Sequence, residues 1–267
     1  MSDAPALDVL LPSALAGRQL PPVDDEAELL DLYAEGLPTD GRTHVRANMV
    51  ATLDGASTGA DRVSGSINGP ADYRAFEVLR ALADVVLIGA GTARAEGYRD
   101  VSVAVPLRPG RRARGLADSI ELAVVSAGGD LPEELLTGSR PPLVLTGSGC
   151  PRLGRLRDVL PADRLLVVPG TGAGEVDLPA AVAALTGLGL SRVLTEGGPT
   201  LLGRLVAAGL VDELCLTWSP LLVGGTAVRT TNVPGWFAPP RPASPVSLLH
   251  ADGVLLGRWR LHPGTPA

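Results

Sequence analysis

From Val85 to Gly91 the chain reads Val-Val-Leu-Ile-Gly-Ala-Gly, with no polar position in the run. A strand wet on one face would alternate, so a uniform run of this length predicts a strand buried on both faces of a parallel sheet. Further strands are predicted at Val45–Leu53, Leu122–Ser126, Leu143–Thr146, Leu165–Val168, Arg192–Glu196 and Glu213–Ser219. Helices are predicted between them. The first starts at Pro70 and places Phe76, Leu79, Leu82 and Ala83 on one face at three- and four-residue spacing. Others lie near Pro132–Leu136, Leu153–Leu160, Leu178–Leu188 and Pro199–Ala208. At the end of the chain, Val246–His250 and Val254–Leu261 flank Ala251-Asp252-Gly253, a turn signal that forces antiparallel pairing. The expected fold class is therefore α/β, three layers deep, with a mixed, mainly parallel sheet and an antiparallel C-terminal edge hairpin.

Residues 1–40, rich in Pro, Asp and Glu with one amphipathic stretch at Glu26–Tyr33, read as an N-terminal extension packing on a single domain over 41–267. The segment 102–119, with Pro106 and Pro109, reads as a surface excursion, and the Arg108–Arg114 cluster within it as a solvated loop. Composition narrows the functional classes. A net charge of −6 argues against a general nucleic-acid or anionic-membrane binder. No apolar run approaches the roughly 20 residues that span a bilayer, and a cytoplasmic location is expected. Two cysteines, Cys150 and Cys215, build neither a disulfide framework nor a four-cysteine zinc site, and no metal site is expected. All 23 basic residues are arginine. Without lysine there is no Walker A loop, no pyridoxal phosphate Schiff base and no Ser-x-x-Lys acylation.

In open α/β sheets ligands bind beyond the carboxyl ends of the parallel strands, and two segments emerging there stand out. Gly89-Ala90-Gly91-Thr92 follows the uniform apolar strand, and its glycines let a ligand approach the backbone closely. Glu196-Gly197-Gly198-Pro199-Thr200-Leu201 also joins strand to helix, with Pro199 suited to the first helical position and Thr200 offering a hydroxyl. Each segment alone reads equally as a tight turn; two in one sheet point to a nucleotide.

The stretches RANMVATLDG (Arg46–Gly55), VLIGAGTARAEGY (Val86–Tyr98) and VLTEGGPTLLGRLVAAGLVDELCLTWSPLLVGG (Val193–Gly225) together resemble the pyrimidine reductase family. That family comprises the reductase domain of the bifunctional riboflavin-biosynthesis deaminase/reductase and its stand-alone relatives. The resemblance runs from about Arg46 to Leu261 and keeps the motif order. It implies a dihydrofolate-reductase-like fold, a homodimer, and NADPH-dependent hydride transfer to 5-amino-6-(5-phosphoribosylamino)uracil or a closely related heterocycle. On the matching positions, Gly89, Gly91 and Thr92 resemble one side of the pyrophosphate site, and Gly197, Gly198, Thr200 and Leu201 the other. Ala51 and Thr52 resemble strand residues whose backbone meets the nicotinamide carboxamide, while Glu196 and Ser126 fall among the remaining cofactor positions. Asn48, Ser64 and Gly65 fall beside the implied substrate site.

Hydride transfer to an open-chain imine needs a positioned nicotinamide and a proton for the acceptor end. Glu96 is the leading candidate for that proton, with Asp54 second. Several departures stand out. The His-x-Glu and Pro-Cys-x-x-Cys signature of the zinc deaminase does not occur, so deamination is not expected. Asn48 and Ser102 stand where relatives carry cations for the substrate phosphate, leaving Arg99, or Arg62, to hold it. Ala127-Gly128-Gly129 replaces a basic site for the adenosine 2′-phosphate, with only the hydroxyls of Ser126, Thr146 and Ser148 nearby. Two alternatives remain open at this stage: a dihydrofolate or pterin reductase, and a non-catalytic nucleotide-binding protein.

Overall fold

A computed structural model describes residues 4–170 and 174–263, and among these runs one eleven-stranded sheet. Its strands are β1 (Leu7–Leu11), β2 (Gln19–Leu20), β3 (His44–Thr52), β4 (Val85–Gly89), β5 (Glu121–Val125) and β6 (Leu143–Gly147). They continue with β7 (Leu165–Val168), β8 (Arg192–Thr195), β9 (Glu213–Ser219), β10 (Ala243–Ala251) and β11 (Val254–Leu261). The helices are α1 (Ala27–Ala34), α2 (Pro70–Ala81), α3 (Ala90–Ala95), α4 (Arg108–Arg112), α5 (Glu133–Leu136), α6 (Leu153–Val159), α7 (Leu178–Gly187) and α8 (Pro199–Ala207). Across the sheet the order is β2-β1-β10-β11-β9-β3-β8-β4-β5-β6-β7. The strands from β9 to β7 pair in parallel; β11, β10, β1 and β2 add antiparallel.

The uniform apolar strands behave as their pattern requires. In β4, Val86 and Ile88 enter a core shared with α1, α2, α5 and α6, while Val85 and Leu87 enter a second core with α7 and α8. The chain crosses the sheet outward from β3 through β4 to β7, then returns to insert β8 between β3 and β4 and passes on to β9. Right-handed crossovers taken in opposite directions put their helices on opposite faces, which yields the three layers. Asp252 and Gly253 both take positive φ (51° and 82°), the geometry of a two-residue hairpin turn, and join β10 to β11. Among the described residues no helix is long and apolar enough to cross a membrane.

Two features correct the expectations. The C-terminal hairpin is not the outermost element: β1 pairs with β10, β2 pairs with β1, and the sheet ends at β2. Leu7 and Val9 alternate into the core, a signal too short to read within a Pro-rich segment. Buried arginines bind this segment. Arg74 of α2 donates to the Glu26 carboxylate and to the carbonyls of Pro5, Leu20 and Pro21, while Arg258 of β11 reaches those of Leu32 and Glu35. The Arg108–Arg114 segment is likewise not simply a solvated loop. Arg111 is only 1% exposed and donates to the carbonyls of Arg80, Ala81 and Ala83, where α2 ends and its last carbonyls have no N–H four residues on in the helix.

Candidate active site

Strands β4 and β8 are neighbours running in the same direction, so the chain leaves both at the same side of the sheet. From there each bends through glycine into a helix, α3 after Gly89 and α8 after Gly198. The bends touch: the Gly89 N–H donates to the Gly197 carbonyl at 3.1 Å. Gly197 sits at φ +99°, which side chains rarely tolerate, and the Gly197–Gly198 peptide is cis. A Cβ added at Gly198 would lie 2.6 Å from Thr92 Oγ1. Glycine there keeps the space between the bends open.

That space opens into a cleft of about 1040 Å3, ample for a dinucleotide with a small second ligand. Gly89, Gly91, Thr92, Gly198, Thr200 and Leu201 line one end. Asn48, Met49 and Val50 of β3 contribute beside α2, which presents Asp72, Tyr73 and Phe76. Ser64 and Gly65 lie on the loop before α2, and the segment 223–228 closes another side.

Three carboxylates face this cleft, each held differently. Glu196 follows β8 and is clamped by Arg80 through two hydrogen bonds of 2.7 Å, with the Tyr98 hydroxyl donating at 2.6 Å. This bidentate pair ties the second bend to α2, and Arg80 also lies 4.1 Å from the centroid of the Phe76 ring. Glu96, just after α3, accepts the Ser64 N–H at 2.9 Å and so tethers the loop before α2. Asp72 in the first turn of α2 is 4% exposed. Its Oδ1 accepts from the Thr217 hydroxyl, whereas Oδ2 has no hydrogen-bond partner among the described residues. Burial pushes its pKa up to about 6, against the smaller opposing pull of the Thr217 hydrogen bond.

Other predicted site residues stand outside the lining. Thr52 is buried, with its hydroxyl donating to Asp54 and accepting the Ala56 N–H; Ala51 beside it is also buried, and Met49 and Val50 line the cleft instead. Asp54 uses its carboxylate to hold Thr52 Oγ1 and the N–H groups of Val223 and Gly224. These bonds, led by the Thr52 hydroxyl, keep its pKa low, so it anchors a loop and is poorly suited to donate a proton. Ser126 turns its hydroxyl to the Gly129 N–H. Gly197 joins the bends through the Gly89 hydrogen bond without entering the lining, and Arg99 is exposed and not part of the lining. Arg62 is the single cation among the described lining residues, and it forms no ion pair.

The family model for the RibD C-terminal domain matches residues 43–237, most of the chain. The chain belongs to that family. A 2,5-diamino-6-ribosylamino-4(3H)-pyrimidinone 5′-phosphate reductase of Archaeoglobus fulgidus is 29% identical over 186 residues, covering 69% of this chain and 83% of the relative. The riboflavin biosynthesis protein RibD of Mycobacterium tuberculosis is 28% identical over 206 residues, 77% of this chain but 49% of that longer protein. A pyrimidine reductase-like protein of Corynebacterium diphtheriae shares the fold with a TM-score of 0.75 at 24% identity, covering 88% of this chain and 99% of that one. Within this RibD C-terminal domain, sequence reasoning missed Asp72, Arg80, Tyr98 and the 223–228 segment. An acid in a helix's first turn is common for dipole reasons alone, so nothing local distinguished Asp72. Arg80 and Glu196 are 116 residues apart, and only the fold joins them.

Proposed function

We propose that this RibD C-terminal domain protein is an NADPH-dependent reductase acting on a ribosylaminopyrimidine 5′-phosphate. The observation that carries the reading is the pair of glycine bends joined by the Gly89–Gly197 hydrogen bond at one end of the cleft. Gly91, Gly198 and the hydroxyls of Thr92 and Thr200 would hold the dinucleotide diphosphate, with α8 starting beside them. When bound, the reduced dinucleotide supplies a hydride, which the opened ribosylamine accepts at the carbon of its imine. The imine nitrogen takes the accompanying proton. Glu96 is the carboxyl suited to deliver it, since Ser64 occupies only its Oε1. Arg62 is the cation suited to the substrate's 5′-phosphate.

The preference for NADPH over NADH rests on two groups. Ser126 and Thr146 spend their hydroxyls on Gly129 and on the Ser126 carbonyl, but Ser148 is exposed. Arg152 lies over the same loop, donating to the Gly128 carbonyl at 3.2 Å, and forms no ion pair among the described residues. An unneutralised guanidinium there suits a 2′-phosphate.

The test follows loss of reduced-nicotinamide absorbance with 2,5-diamino-6-ribosylamino-4(3H)-pyrimidinone 5′-phosphate, its uracil counterpart, or dihydrofolate. Oxidation of NADPH with a pyrimidine, and NADH at least about tenfold poorer, is the expected result. Oxidation with dihydrofolate alone would replace the substrate with a pterin. Tight NADPH binding without oxidation by any of the three would make the protein a non-catalytic nucleotide binder.

A further inference from the structure

We infer that Asp72 reads the substrate's heterocycle and selects a 2-amino-4-oxopyrimidine over a uracil. The inference rests on the cleft being a pyrimidine reductase site and narrows its substrate class. Thr217, which bonds Asp72, stands in register opposite Val50 of the cleft lining. Asp72 is thus on the β9–β3 side of the cleft, while the glycine bends leave β8 and β4. From β9 to β8 and to β4 is two and three strand spacings, roughly 10 and 14 Å, so Asp72 lines the part of the cleft away from the glycine bends. Tyr73 and Phe76 of the same helix line the cleft beside it, ring centroids 5.9 Å apart, and give a flat heterocycle an aromatic neighbour.

The electrostatic setting points to a ligand that donates hydrogen bonds. A carboxylate accepts about four, and Asp72 receives one, from Thr217. Its Oδ2, without a hydrogen-bond partner among the described residues, keeps some exposed surface, and Asp72 lines the cleft. Among the described residues no arginine forms an ion pair with it. The titratable groups packed nearest are Tyr33 of α1 and Cys215 of β9, and both stay neutral because burial raises their pKa values, Cys215 to about 11. Glu96, Glu196 and Arg62 also line the cleft. Asp72 therefore stands as an acceptor whose partners must come from whatever fills the cleft.

A 2-amino-4-oxopyrimidine presents, on the ring edge remote from the ribosylamine, an N–H beside an exocyclic amine. Both donate, and a carboxylate accepts them as a pair. A uracil presents one N–H beside a carbonyl, whose lone pairs would face the Asp72 oxygens.

The experiment is equilibrium calorimetry of wild type and Asp72→Asn, without dinucleotide, against the 5′-phosphates of 2,5-diamino-6-ribosylamino-4(3H)-pyrimidinone and of 5-amino-6-ribosylaminouracil. At about pH 7.5 wild type should bind the diamino compound about tenfold tighter or more, and Asp72→Asn should bind the two within about threefold. Near pH 5 the wild-type preference should shrink as Asp72 takes up a proton, and the variant's ratio should stay flat. Both compounds carry the same phosphate, so its own titration cancels in the ratio. Equal binding of both by wild type, or an undiminished preference in the variant, overturns the role of Asp72 and leaves the reductase reading standing. Binding of neither compound to wild type overturns both.

Discussion

Replacing Asp72 with asparagine should stabilise the protein at neutral and alkaline pH and leave it nearly unchanged in mild acid. The unfolded-state carboxyl titrates near 3.9, and in the folded protein burial carries it to about 6. A difference of roughly two units at 1.36 kcal/mol each is about 3 kcal/mol. Because the folded pKa lies above the unfolded one, this group's contribution is fully present below about pH 4 and is lost as pH climbs through 6. Above that, wild type holds a buried, uncompensated charge that the introduced amide lacks. The asparagine oxygen can still accept from Thr217, so the hydrogen bond is not sacrificed. Urea melts of both proteins, repeated at intervals from about pH 4.5 to 8, should show curves that nearly coincide at the acid end. They should separate by on the order of 2–3 kcal/mol at the alkaline end, with the variant above. Parallel profiles would mean that Asp72 does not ionise in a buried setting, which would remove the physical ground for its role toward a ligand.

Two further predictions concern the dinucleotide and the proton. Gly198→Val should raise the Kd for NADPH at least about tenfold, because its Cβ would stand 2.6 Å from Thr92 Oγ1; unchanged binding by fluorescence titration would move the diphosphate elsewhere. Glu96→Gln can still accept the Ser64 N–H but cannot serve as an acid, so kcat should fall by about a hundredfold while the NADPH Kd changes less than about twofold. An equal loss in both constants would make Glu96 a loop tether alone.

How much could be read in advance depended on the range over which each feature is encoded. Strand β4, helix α2 and the β10–β11 turn were legible because apolar periodicity and an Asp-Gly pair act within a few residues. The bends at 89–92 and 197–201 were legible as bends for the same reason. Their contact was not, since it depends on β8 inserting next to β4 after the chain has already crossed to β7. Arg111 looked like one of several surface cations until the end of α2 presented it with a cluster of carbonyls. Asp54 and Ser126 were chosen for their side-chain chemistry, and the fold spends that chemistry on neighbouring loop atoms.

Local pattern by itself determined the alternation of layers, the glycine turns and the absence of lysine chemistry, since each follows from nearby residues or from composition. Tertiary structure alone decided which carboxylate became a tether, which a clamp and which an open acceptor. The oxygen atoms of Glu96, Glu196 and Asp72 are chemically alike. What separates them is what the fold brings to each, a loop N–H from Ser64, a guanidinium from Arg80 or a buried hydroxyl from Thr217, and those partners lie 32, 116 and 145 residues away in the chain.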